Sequence, residues 1–369
     1  MIRNYINLKS LGMPKLWSYL IKKFFTHFAF TFIGIIIFLI VIRFSSIAGF
    51  ATSGTDLSLI FKFIGFLIPY VIPLAIPISV LNATLLISRK LSLEKQFTAL
   101  RSGGLSLKKI FTPLIIVFSF LTVLNFFNTG TLAPYSKLKS KTLIYETTVK
   151  HPLFITQKAC PLKIKSLYTD VGKMSSKDCA QDLIVAFKNK KNQRLSLMVA
   201  DKLFVKKENL SGKNIGIISS LKSKNTDLQD DLVIENEAFM TTSTHVIDVL
   251  LNKKEAQDGV DYLDFFQLIK NWNTKNYYKS ELYKRLNLSL APLTFGILGL
   301  CFGLNISRKS SSLSLAIAIG LATLFMVTNI SSKSYRSQPE LCMILYLASH
   351  LIVIFASFIK LKRIEKGLG

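Results

Sequence analysis

Hydrophobic positions in this chain gather into six long blocks instead of spreading evenly. They run Phe24–Ile42, Ile60–Ile87, Ile110–Phe127, Leu286–Leu304, Leu313–Ile330 and Leu341–Ile359. Each is close to the ~20 residues an α-helix needs to cross a bilayer. Three precede a polar block of about 150 residues and three follow it. The pattern predicts six transmembrane α-helices arranged 3+3, with one extramembrane domain inserted between the halves. The expected divisions are a membrane half over 1–130, an inserted domain over 131–280 and a second membrane half over 281–369. Residues 1–23 are basic, but the apolar run after them is too long for the core of a signal peptide and lacks a small-residue cleavage site. It reads as a retained first helix.

Inside the polar block the period changes. Short β-branched and apolar runs recur at Leu183–Phe187, Leu195–Ala200, Leu203–Lys206, Ile215–Ser219, Leu232–Ile234, Ala238–Thr242 and His245–Leu251. Breakers separate them at Lys188–Asn192, Glu208–Lys213 and Ser223–Asp231. Strands at this spacing predict an antiparallel sandwich or open barrel. Tyr262–Thr274 reads as a short amphipathic helix leading back to the membrane, with Asp261 or Asp264 at its start. Cys160 and Cys179 share this block, as a candidate disulfide or as two unpaired thiols. Cys301 and Cys342 sit in apolar spans and read as packing residues.

Composition adds little to that picture, but charge adds an orientation. Half the residues are hydrophobic and the mean hydropathy is +0.39. The net charge of +26 first suggests nucleic acid, yet its distribution argues against that. With a cytoplasmic N-terminus, the cytoplasmic segments are 1–23, 88–109, 305–312 and 360–369, and they hold 17 Lys/Arg against Glu94 and Glu365. The short outside loops carry only Lys333 and Arg336 as cations. This is the positive-inside pattern, so both termini are expected in the cytoplasm and the inserted domain outside it. The basic charge is then a topology device, and no nucleic-acid partner is expected.

Candidate catalytic chemistry is sparse. His27, His151, His245 and His350 form no metal-binding spacing, and the sequence holds neither a phosphate-cradling GxxxxGK[ST] nor a GxSxG. No acid falls within the six apolar blocks, which argues against a carrier coupled through buried carboxylates. No catalytic residue, metal or intrinsic cofactor is expected. Energy for any transport must come from another subunit.

The segment between the second and third blocks is the most distinctive. Ser92 is a candidate N-cap, Leu93, Phe97 and Leu100 form an apolar stripe, and Gly103–Gly104 supplies a helix stop. A short amphipathic helix over 92–103 is expected, either lying on lipid headgroups or docking into a cytosolic partner.

Thr98-Ala99-Leu100-Arg101-Ser102-Gly103-Gly104-Leu105-Ser106 resembles the T-A-M-R-A-S-G-x-S signature of the LptF/LptG (YjgP/YjgQ) permease family. Glu281-Leu282-Tyr283-Lys284-Arg285-Leu286, followed by Pro292 and Cys301-Phe302-Gly303, resembles that family's fourth helix. The prolines of the second block (Pro69, Pro73, Pro77) and the 3+3 layout also match. The resemblance implies a bacterial inner-membrane protein with six transmembrane helices and an inserted all-β, jellyroll-like periplasmic domain. It implies the permease subunit of an ABC transporter that extracts lipopolysaccharide from the inner membrane. The implied partners are a cytosolic LptB-like ATPase, which alone uses ATP, a second LptF/LptG-like permease forming a heterodimer, and an LptC/LptA-like periplasmic bridge. The ATPase-coupling residues it implies are Glu94, Gln96, Phe97, Leu100, Arg101 and Gly103. The family usually has a Glu two residues before the signature Thr; here that position is Gln96, with Glu94 two residues earlier.

An anionic multi-acyl lipid requires apolar walls with cations at headgroup level. Arg43, Lys62, Lys284 and Arg285 are the candidate substrate contacts; helix anchoring is the alternative for each, and Glu281 stands four residues from Arg285 as a competing partner. The three prolines are either a static kink or a bend that widens a cavity. Gly296, Gly299 and Gly303 permit close helix packing. Rival readings are a non-transporting ABC membrane subunit relaying ATPase motion to a periplasmic partner, a membrane transferase, and a scaffold.

Overall fold

The computed structural model describes residues 15–44, 47–48, 51, 57–150, 167–176, 179–188, 195–206, 209–222, 230–243, 259–304 and 312–365. The chain divides into two compact units. One comprises Met1–Ile40, Ile68–Ser136 and Val260–Gly369; the other comprises Val41–Leu67 and Lys137–Gly259.

The helices, in chain order, are α1 (Lys15–Ile42), α2 (Leu57–Leu93), α3 (Gln96–Ser102), α4 (Leu107–Phe127), α5 (Ala133–Lys150), α6 (Phe265–Lys270), α7 (Asn276–Gly303), α8 (Ser312–Ser331) and α9 (Pro339–Glu365). A π turn, Asn128–Leu132, joins α4 to α5, so that Lys109–Thr147 is one continuous helical run. Among the described residues six helices are long and apolar enough to cross a membrane: α1, α2, the α4–α5 run, α7, α8 with its 3-10 extension, and α9. Two helices overrun their apolar blocks into the polar central block. The third continues past Phe127 to Lys150, so the first residues after 130 are helical. The fourth begins at Asn276, well before Leu286, because Glu281 pairs with Lys284 and Arg285 at i+3 and i+4 and steadies its polar turns. A carboxylate therefore does lie within a membrane-length helix.

In the first unit α7 is the hub, packed against α4, α8 and α9. Its glycines face α2 and α4. A Cβ at Gly299 would stand 2.8 Å from Thr84 Cβ and 3.1 Å from the Leu81 carbonyl. One at Gly303 would stand 2.6 Å from Ser88 Cβ. Only a bare backbone lets the helices come this close. One apolar core gathers Phe24, Ile87, Phe97, Leu114, Phe118 and Ile364. A second gathers Phe295, Leu298, Phe325 and Val353. Cys301 and Cys342 are both buried, and the Cys342 thiol donates to the Ser332 and Tyr335 carbonyls at 3.5 and 3.2 Å.

The second unit carries a five-stranded antiparallel meander, β1 (Leu167–Ser176), β2 (Cys179–Lys188), β3 (Leu195–Lys206), β4 (Asn209–Lys222) and β5 (Asp230–Ser243), in that spatial order. Leu183, Ala200, Leu203 and Ile215 form its buried face. The ladder is interrupted along one row, Gly172, Asp182, Asp201, Asn214 and Ala238, where no pairs form. Asp182 and Asn214 in that row have left-handed φ of 53° and 52°, and Asn214 Nδ2 donates to Asp201 at 2.9 Å. The kink flips the alternation, so Ala200 and Leu203 both face inward. That is why Leu195–Ala200 and Leu203–Lys206 read as two strands but form one, as do Leu232–Ile234 and Ala238–Thr242. β4 begins at Asn209, inside the expected breaker. β1 has only scattered apolar residues and gave no strand signal. His245–Leu251 and Cys160 lie outside the described residues.

The expected helix over Tyr262–Thr274 is shorter. A 3-10 turn covers Val260–Tyr262, and α6 starts after Asp264, whose backbone N–H donates to Gln267 Oε1 at 3.1 Å. Trp272 and Thr274 close the turns that follow.

Candidate functional site

The first unit holds three polar constructions. The first is the α2–α4 connection. Ser92 does not cap a new helix; α2 runs through it to Leu93. Lys95 then turns left-handed, with φ 54°, and α3 covers Gln96–Ser102. Its end is a complete Schellman motif: the Leu105 N–H reaches the Leu100 carbonyl at 3.2 Å and the Gly104 N–H reaches Arg101 at 3.0 Å. Gly104, with φ 80°, takes the left-handed position, while Gly103 at φ −75° does not. Leu100 and Leu105, the pair this motif brings together, both pack on the core. Ser106 caps α4 by accepting from Lys109 N at 3.5 Å.

The apolar stripe is divided by this geometry. Phe97 points into the subunit's own core, Leu100 is half-buried against it, and Leu93 is 64% exposed. Gln96 Nε2 donates to Glu94 at 2.7 Å, and Gln96 Oε1 accepts from Tyr19 at 3.2 Å. Glu94 also meets Lys90 at 3.7 Å. Arg101 reaches away from α3 to the last turn of α9, donating to the Ile364 carbonyl at 3.1 Å and the Glu365 carbonyl at 3.3 Å. A cation at a helix C-terminus meets both free carbonyls and the negative end of the dipole. The coupling candidates Glu94, Gln96, Phe97, Leu100, Arg101 and Gly103 thus form one small capped structure.

The second construction is an ion cluster at the start of α7. Glu281, 5% exposed, meets Lys284 at 3.0 Å, Arg285 at 3.4 Å and Arg336 at 3.4 Å. Arg336 also meets Asp261 at 3.2 Å. Arg285 is 4% exposed and donates to the Leu263 and Asp261 carbonyls at 2.6 and 3.2 Å. Its fork therefore binds α7 to the loop before α6. Of the four cations expected to meet lipid, Lys284 and Arg285 are engaged here. Arg43 and Lys62 belong to the second unit; both are exposed there, at the end of α1 and in the first turns of α2. Sequence reasoning missed Arg336 and treated Asp261 only as a cap; their opposite charges, one before α6 and one between α8 and α9, were the available signal.

The third is a polar seam at the junction of α4 and the π turn. Asn125 and Asn128 are both buried, and neither was singled out from sequence. Asn125 Nδ2 donates to Pro73 O at 3.4 Å and to Leu288 O at 2.8 Å; Asn128 Nδ2 donates to Pro69 O at 3.2 Å. Elsewhere, the His350 ring lies edge-on to Phe325 with centroids 5.0 Å apart.

Bilayer-length helices around a glycine-faced hub, with a β meander inserted between the third and fourth, define a multi-pass membrane protein. The match to known families carries this further: the chain belongs to the lipopolysaccharide export system permease family LptF/LptG, whose model covers residues 18–363. No protein of curated function matches the chain significantly.

Proposed function

We propose that this chain is one of two permease subunits of an ABC transporter that extracts lipopolysaccharide from the bacterial inner membrane and hands it to a periplasmic bridge. Its partners are an LptB-like cytosolic ATPase, a second LptF/LptG-like subunit and an LptC/LptA-like bridge; ATP is consumed by the ATPase alone. The family match over residues 18–363 carries this reading. The charge distribution supports cytoplasmic termini and a periplasmic block over 131–280. The kinked meander is the framework of a jellyroll-like slide for acyl chains, its apolar face built on Leu183, Ala200 and Ile215.

In this scheme α3 is the coupling helix. Phe97 and the Schellman turn fix it to the subunit, and its outer side, with Thr98 and Ala99, meets the ATPase next to Glu94 and exposed Leu93. Movement passes to α2 and α4, which flank it, and to α9 through Arg101. Arg43 and Lys62, both exposed in the second unit, are the candidate contacts for lipid phosphates, while Lys284 and Arg285 are held by Glu281 in the first. The relay of ATPase motion to a periplasmic partner without transport is disfavoured by the family's description as an export permease.

The test is affinity purification of the chain from its native envelope, with associated proteins and lipids identified by mass spectrometry. Recovery with a cytosolic ATPase, a second six-helix subunit and lipopolysaccharide supports the proposal. Recovery alone, without ATPase or lipid, refutes it.

A further inference from the structure

In an α-helix the N–H of residue i bonds the carbonyl of i−4, and a proline at i leaves that carbonyl without its donor. Pro73 and Pro77 lie inside α2 and Pro292 lies inside α7. The carbonyls they free are those of residues 69, 73 and 288. These are the three carbonyls that Asn128 and Asn125 reach, at 3.2, 3.4 and 2.8 Å. Within a bilayer an unsatisfied carbonyl costs several kcal/mol, so donation to these atoms holds the fold together. Asn125 is 0% exposed and spends one amide on two different helices. The amide orientation follows from the geometry, since turning either side chain over would set oxygen against carbonyl oxygen. The π turn begins at Asn128 and contains buried Thr129 and Gly130, and Thr129 Oγ1 bonds the Asn125 carbonyl at 2.7 Å.

We infer that Asn125 is a positioning residue for transport: a swivel that ties the proline bends of α2 and α7 to α4, with Asn128 as its second arm. This rests on the transport reading above. A backbone hydrogen bond fixes the turn that contains it. A side-chain amide reaching the same carbonyl keeps it satisfied while the helix angle changes. Because one amide serves α2 and α7, bends at Pro77 and Pro292 move together.

The experiment uses the complete transporter in proteoliposomes loaded with lipopolysaccharide. It compares the unmodified complex, Asn125→Leu, Pro77→Ala/Pro292→Ala, and the triple variant combining them. Thermal stability in detergent, ATPase rate and lipid released per ATP are read for each. Asn125→Leu is expected to lower both stability and lipid released per ATP, the latter by about tenfold. The Pro→Ala pair restores backbone donors at 77 and 292, so the triple variant regains stability. It is still expected to lose about tenfold in lipid per ATP, because the bends are now fixed. The Pro→Ala pair alone gives the same loss with no loss of stability, so the inference is tested even if Asn125→Leu does not fold. Normal lipid release per ATP in the Pro→Ala pair, or full recovery of release in the triple variant, overturns it. Failure of the unmodified complex to move lipopolysaccharide would instead strike the transport reading, while the stability arm would still report on the carbonyl staple.

Discussion

Glu281 is the carboxylate on which the start of α7 depends, and its removal has a calculable consequence. It is 5% exposed and faces three cations. Those cations differ in what remains to them afterwards. Arg336 keeps Asp261 at 3.2 Å, and Lys284 is exposed enough to turn outward. Arg285, 4% exposed, keeps the Leu263 and Asp261 carbonyls but loses its ion-pair partner, leaving only the more distant carboxylates of Asp261 and Asp264 to offset a buried charge. Breaking a buried pair in this way costs about 3–5 kcal/mol. The two retained carbonyl bonds put Glu281→Leu near the lower end, at about 3 kcal/mol. Arg285→Leu frees the Leu263 and Asp261 carbonyls but leaves Glu281 with Lys284 and Arg336, so it costs about 2–3 kcal/mol. In the double variant the uncompensated charge is gone, and the combined loss falls short of the sum by at least about 1.5 kcal/mol. SDS-titrated unfolding in mixed micelles measures the cycle. Additivity within about 0.5 kcal/mol would refute the reasoning, because it would mean the pair is not coupled. Arg285→Lys should not restore stability, since an ammonium cannot supply the fork that spans Leu263, Asp261 and Glu281.

Gly299→Ala should cost about 1–3 kcal/mol by forcing α7 off α2, whereas Gly320→Ala on α8, with nothing within 4 Å, should be neutral or stabilising; the same unfolding titration compares them. Gly104→Ala should cost about 1 kcal/mol because φ is 80°, and should speed proteolysis of the α3 segment. Arg101→Ala should free the end of α9, seen as faster amide exchange over Ile364–Glu365; unchanged exchange would show that the two carbonyl bonds hold nothing. Gln96→Glu would set a second carboxylate beside Glu94, where the 2.7 Å hydrogen bond now lies, so association with the proposed ATPase partner should change with ionic strength more steeply than in the unmodified protein.

The six apolar blocks were legible because burial in lipid demands unbroken runs. The helix stop after Ser102 was legible because glycine pairs have one strong use there. What escaped has physical causes. Hydropathy understates the first turns of α7, where the ion pairs of Glu281 add to sparse apolar packing such as Leu282. Ser92 looked like a cap because Ser begins many helices, but the break comes three residues later, at left-handed Lys95. The two-strand reading of β3 followed from a phase flip at Asp201 that only cross-strand alignment explains. Phe97 fell on an apolar stripe, but the sequence does not say whether a stripe faces its own core or a partner. Prolines four apart in α2 and asparagines three apart where α4 meets the π turn were each visible. Their correspondence needed the distances.

The proposal is that this permease moves lipopolysaccharide when a separate ATPase burns ATP. It is tested most directly by reconstituting the chain, its partner permease and the cytosolic ATPase in lipopolysaccharide-loaded proteoliposomes with a periplasmic bridge protein outside. Lipid should cross-link to the bridge only with ATP and only when this chain is present. Cross-linking that proceeds equally without ATP, or without this chain, would contradict it.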